Sequence, residues 1–143
     1  MRTIKFKAWD IQLKLIVDVA TIEYIADYDR EKDIHFRRID SISIRYTDEE
    51  GNIQDEYRDH KSVKLIQFTG RHDKKGIEIY EGHIIEHENC GVYIIVYDEE
   101  FGKFEAEPVD GKANEMDIEW YLSKHTTIIG NKYKNPELLE EEK

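Results

Sequence analysis

The sequence predicts a mainly β fold that ends in a small closed barrel. Three observations lead there. Apolar residues recur at period two, as in Ile4, Phe6, Ala8 and again in Ile42, Ile44, Tyr46, which turns one face of a strand inward and the other to water. Turn chemistry separates the runs: Asp48-Glu49-Glu50-Gly51-Asn52 lies between 42–47 and 53–57, and Glu99-Glu100-Phe101-Gly102 lies between 90–98 and 103–108, so each pair reads as a hairpin. Five short segments, 65–68, 84–88, 91–98, 103–107 and 126–130, are joined mostly by tight turns, the pattern of a small closed barrel, for which an SH3-like barrel is the natural form.

In chain order, the N-terminal portion reads as strands at 2–9, 15–19 and 34–39, with the charged stretch 27–33 as a solvated loop. The hairpin 42–57 follows. Val92-Tyr93-Ile94-Ile95-Val96-Tyr97 is apolar on both alternating faces, which marks a strand covered on both sides and central to the fold. In 114–124 the apolar residues Met116, Ile118, Trp120, Tyr121 and Leu122 fit neither period, leaving a helical turn or a long connection open. Near the end, Asn135 is placed to cap a first turn, Pro136 presets its φ and Glu137 favours the positive helix pole. A short C-terminal helix is expected there. No repeat, low-complexity tract or proline-rich linker divides the chain, and the expected organisation is a β-rich portion over 1–62 and the barrel with its helix over 63–143.

With 143 residues, 39% of them hydrophobic, the chain can close a modest core. The formal net charge of −11 is uneven. Residues 1–72 hold 13 Lys and Arg against 14 Asp and Glu, a net of −1, and residues 73–143 hold 8 against 18, a net of −10. An acidic half repels phosphate backbones and speeds association with cationic surfaces. The expected partner is therefore a protein with a basic surface, and nucleic acid is disfavoured. Cys90 is the only cysteine, so an internal disulfide and a cysteine-pair zinc site are excluded and a reducing cytoplasm is expected. No apolar run approaches the roughly 20 residues that cross a bilayer, and no membrane association is expected. Pairing through edge strands leaves a homo-oligomer open.

Residues 67–85 read Gln-Phe-Thr-Gly-Arg-His-Asp-Lys-Lys-Gly-Ile-Glu-Ile-Tyr-Glu-Gly-His-Ile-Ile. The Thr-Gly, the polar loop, Gly-x-x-Ile-Tyr-Glu-Gly and the apolar pair resemble the signature of the YopX-like family of phage and prophage proteins. Residues 4–10, Ile-Lys-Phe-Lys-Ala-Trp-Asp, are similar to that family's opening, and Ile128-Ile129-Gly130-Asn131 with Tyr133, Asn135, Pro136, Glu137, Leu138 and Leu139 resembles its closing. Residues 20–64 carry no such likeness. The resemblance implies the same barrel architecture and a phage-encoded protein in the bacterial host, without an activity. His83 stands where the family usually has an aspartate that opens a strand.

His83-Ile84-Ile85-Glu86-His87 matches the His-x-x-Glu-His pattern of zinc peptidases, which works only on a helix. The β-branched pair after Gly82 favours a strand, on which the two imidazoles stand roughly 13 Å apart, beyond the reach of one ion. No metal site and no cofactor are expected. Glu78 with Glu81, and Glu105 with Glu107, form carboxylate pairs that arise by chance among 32 acidic residues. His35, His60, His72 and His125 lie near no nucleophile motif, and no catalytic role is expected of any residue. The one local departure from acidity is the loop between Gly70 and Gly76, which lacks the Gly-Lys-Ser/Thr ending of a phosphate loop. Arg71, His72, Lys74 and Lys75 there, with Tyr80 beside them, are the candidate binding residues, and a nucleic-acid contact through this loop is the alternative to binding through the acidic half.

Overall fold

The computed structural model describes residues 4–109, 116–117 and 122–140. Phe6–Leu65 forms one compact unit, and Lys5 joins Ile66 onward in another. Eleven strands account for most of the described chain, all in antiparallel pairs.

In the first unit, β1 (Phe6–Asp10), β2 (Leu15–Asp29), β3 (Ile34–Thr47) and β4 (Ile53–Asp59) lie side by side in the order β4-β3-β2-β1. The turn 48–52 joins β3 to β4 as its sequence predicts. Asp48 accepts from the N–H groups of Glu50 and Asn52 at 3.0 and 2.8 Å, the Asx arrangement that replaces ladder bonds in a tight turn. Ala8, Val17, Ile42, Ile44 and Val63 form the buried core of this unit, and Leu13, Val19, Ile39, Tyr46 and Leu65 pack on it. Two expected strands, 34–39 and 42–47, are a single strand: Asp40 is passed over between Tyr24↔Ile39 and Glu23↔Ser41, and one bulge carries β3 on. The expected loop 27–33 is shorter than its charge implied. β2 runs to Asp29, and the turn is confined to residues 30–33, because cross-strand pairs such as Asp27 with Arg38 place opposite charges on one face of the ladder. Among the described residues, β2 beyond Asp18 pairs only with β3, and β3 before Ser41 only with β2.

β5 (Val63–His72) runs from the first unit into the second, where it pairs with β6 (Glu78–Tyr80). β7 (His83–His87), β8 (Gly91–Asp98), β9 (Lys103–Pro108), β10 (Met116–Asp117) and β11 (Thr126–Asn131) form a five-stranded sheet in the order β10-β9-β8-β7-β11. Its inner face buries Ile85, Tyr93, Ile95, Phe104 and Ala106 with Ile79, and Ile128 packs against them. β8 holds the central position the sequence predicts. Its second face is only half covered, since Val92, Ile94 and Val96 stay partly exposed.

Two expectations are corrected. The SH3-like barrel does not close: among the described residues β10 pairs with β9 alone and β11 with β7 alone, and the segment 65–68, counted as a barrel strand, lies in β5, whose partner here is β6. The C-terminal helix is a single 3-10 turn, Pro136–Leu139, with the proline in its first turn as expected. Asn135 does not cap it. Its Oδ1 instead accepts from the Asn131 N–H at 3.2 Å, and Glu140 follows in extended backbone at φ −77°, ψ 129°, so nothing satisfies a second turn. Of the undecided segment 114–124, Met116–Asp117 forms β10 and Leu122–His125 a helical turn, α1. Ile118, Trp120 and Tyr121 lie outside the described residues.

Candidate binding surfaces

The basic loop is a fastened turn between β5 and β6. Asp73, 3% exposed, is its anchor. One carboxylate oxygen accepts from the N–H groups of Lys75 and Ile77, both at 2.9 Å, and the other from the Ile128 N–H of β11 at 3.2 Å. The main chain adds Asp73 N–H to the Ile77 carbonyl at 2.8 Å and Lys74 N–H to the Thr126 carbonyl at 3.0 Å. Burial pushes the Asp73 carboxyl up, but the N–H groups of Ile77, Ile128 and Lys75 outweigh it and hold the group below its usual range. Gly76 closes the turn at φ +81°, a left-handed conformation that glycine adopts without a Cβ penalty.

Arg71 and His72, the last residues of β5, and Lys74 and Lys75 on the turn are all exposed. The Lys74 ammonium lies 3.4 Å from Glu88, whose carboxylate also stands 3.5 Å from His125 Nδ1. His72 sets its ring edge-on to Phe68 at 5.6 Å. Among the described residues, neither Arg71 nor Lys75 has an ion-pair partner. Tyr80 does not join them: it is 3% exposed, its ring lies against Phe68 at 5.5 Å, and its hydroxyl donates to Glu78 at 3.2 Å. β6 does not alternate, since the adjacent Ile79 and Tyr80 are both buried, so this strand is covered on both faces. Glu78 is drawn below its usual range first by the hydrogen bond from the Lys5 ammonium at 2.6 Å. Glu81 accepts from the Gln67 N–H at 2.8 Å, so this carboxylate pair is engaged in holding backbone and a lysine.

The outer face of the five-stranded sheet has a different character. Register puts Glu86 opposite Val92 and Glu107 opposite Ile94, so these residues share a face with Val96, two positions on. Val92, Ile94 and Val96 make a half-buried aliphatic stripe, flanked by the exposed carboxylates Glu86 and Glu107, while Ile84, opposite Ile94 on the same face, is fully buried. Glu105, opposite Val96, is 12% exposed in its side chain and lies 3.5 Å from Lys103. The turn after β8 adds exposed Glu99 and Glu100. The sequence carries this surface as the alternation of Val92, Ile94 and Val96, which reads as buried on both faces when each strand is taken alone.

His83-x-x-Glu86-His87 is strand β7, as its glycine-bounded sequence predicts. Each ring serves the backbone: His83 Nδ1 accepts from the Tyr80 N–H at 2.9 Å and His87 Nδ1 from the Asn89 N–H at 3.1 Å. No group of three metal-ligating side chains converges among the described residues. Cys90 is exposed and free. Among the described residues no helix is long and apolar enough to cross a membrane.

The family described as YopX protein matches residues 5–140, nearly the whole chain. The chain belongs to the YopX family. The match takes in both the basic turn and the acidic outer face, and it extends over residues 20–64, where no motif resembled the family. Among solved structures, the crystal structure of protein EF1440 from Enterococcus faecalis is similar, with a TM-score of 0.60 and 22% sequence identity, covering 98% of this chain and all of that one. That likeness extends the YopX fold of this chain to a distant sequence. The curated proteins offer no match.

Proposed function

We propose that this YopX protein is a non-catalytic interaction module of phage or prophage origin, acting in the cytoplasm of a bacterial host, and that it engages a protein with a basic surface. The observation that carries this reading is the outer face of the five-stranded sheet, an aliphatic stripe of Val92, Ile94 and Val96 with Glu86 and Glu107 beside it. An apolar centre with a charged rim is the anatomy of a protein interface, and the net charge of −10 over residues 73–143 favours a cationic partner.

A second reading, binding of nucleic acid through the turn 71–75, is favoured by one feature: Asp73 fixes the turn while Arg71 and Lys75 stand exposed. It works against the field of the acidic half.

Capture from a nuclease-treated bacterial lysate at low and high salt, identified by mass spectrometry, separates the two. A basic protein captured at low salt, released at high salt and lost with Glu86→Lys plus Glu107→Lys supports the first reading. Capture that survives those changes but fails with Arg71→Glu plus Lys75→Glu, or that nuclease abolishes, overturns it in favour of the second.

A further inference from the structure

An open-mouthed cavity of about 300 Å³ lies in the first unit, between β3 and the start of β5. Ile39, Ile42, Val63 and Leu65 supply its apolar wall, and two of them, Ile42 at 1% and Val63 at 4% exposure, belong to the buried core, so the floor is rigid. Its other lining residues are Arg38, His60 and Lys64. Among the described residues no carboxylate lines it, although acidic residues outnumber Lys and Arg by 32 to 21 in the chain. The acidic neighbours stay outside: Asp27 holds Arg38 Nε at 2.8 Å, and Asp59 stands 3.5 Å from His60 Nδ1, a nitrogen that makes no hydrogen bond. Lys64 is exposed and has no ion-pair partner among the described residues. The volume sits at the lower end of the range of small-ligand pockets, about 300 to 1,000 Å³.

From these residues we infer that the cavity binds a small aliphatic carboxylate. The hydrocarbon lies on the isoleucine, valine and leucine wall, whose contact with water it removes. The carboxylate meets Lys64 and Arg38, and a charge-assisted hydrogen bond to either is stronger than one to a neutral donor. An aliphatic cation of the same length meets the Lys64 ammonium, and the nearest carboxylates, Asp27 and Asp59, are turned to Arg38 and His60. This assignment is independent of the acidic face on the five-stranded sheet, which shares no residue with it.

The test is titration of the full-length protein with butanoate, hexanoate and octanoate, followed by calorimetry and by backbone amide shifts. Saturable octanoate binding is expected, with shifts centred on Ile39, Lys64 and Leu65 and affinity rising about threefold to fourfold per methylene. Octylamine and octanol are expected to bind more weakly. Lys64→Glu, an exposed position whose fold is checked by circular dichroism, is expected to weaken octanoate by about fivefold or more. Equal binding of octylamine or octanol, shifts centred elsewhere, unaltered affinity in Lys64→Glu, or no saturation in the millimolar range each overturns the assignment.

Discussion

The carboxylate of Asp10, wholly buried at the end of β1, accepts from Arg58 Nε at 2.7 Å, across 48 residues of sequence. Its other oxygen accepts from the N–H groups of Gln12 and Leu13 at 3.0 and 2.9 Å, and Arg58 reaches Glu56 at 2.6 Å. One acid thus shapes the β1–β2 turn and ties β4 to it. Arg58→Ala would strand the buried carboxylate, and we expect a loss of about 3 to 5 kcal/mol in chemical denaturation. Asp10→Asn combined with Arg58→Met should cost less than the two single changes together. Additive costs would mean the pair is not coupled.

Asp73→Ala removes the acceptor for three backbone N–H groups at once. A buried donor left unsatisfied costs about 1 to 3 kcal/mol, and with partial relaxation of the turn roughly 3 kcal/mol of stability should go. Amide exchange should rise first at Lys75, Ile77 and Ile128. An unchanged exchange pattern would show that the turn holds itself.

Acid should weaken the same fastening. The folded carboxyls of Asp73 and Glu78 both lie below their ordinary values, near 4 in an unfolded chain. Their contribution is therefore complete above that value and lost as pH falls through the folded values. Melting temperature should be steady from pH 7 to 5 and then decline, more shallowly in Asp73→Asn. A variant with the full decline would place the acid sensitivity elsewhere.

Gly82 sits at φ +84°, and a Cβ there would stand 3.3 Å from the Tyr133 ring. Its N–H donates to the Ile95 carbonyl at 2.7 Å, and its carbonyl accepts from the Lys132 N–H at 2.8 Å. Gly82→Ala should therefore cost about 1 to 2 kcal/mol for the left-handed backbone alone, read as a lower denaturation midpoint. A midpoint within error of the parent would mean the backbone relaxes there.

Local patterns made much of this fold legible. The apolar run from Val92 to Tyr97, with Gly91 before it and the Asp98 turn after it, marks the strand at its observed bounds, Gly91–Asp98, because the signal lies within eight residues. The Asp48 and Asp98 turns were readable for the same reason. What escaped depends on distant partners. Closure of the sheet is decided by whether β10 meets β11, on which neither strand's own residues bear. Tyr80 looks like an exposed aromatic beside a basic loop until Phe68 and His83 are seen against it. Arg58 reads as one more surface charge in a polar strand, and nothing near it in sequence reveals Asp10. The outer-face stripe was visible as residues and invisible as a surface, since the carboxylates that flank it come from β7 and β9.

The β2–β3 ribbon outruns its neighbours on both sides, and Tyr24, Tyr28, Ile34 and Phe36 are each at least 41% exposed along it. A two-stranded ribbon without a third strand is marginal in water. Its outer half can therefore open and re-form while the Ala8–Val63 core stays shut, as an independent unit of local unfolding. Protease cleavage near residues 30–33 would then leave two pieces held together by that core, and the molecule could lose the order of its ribbon end without losing its fold.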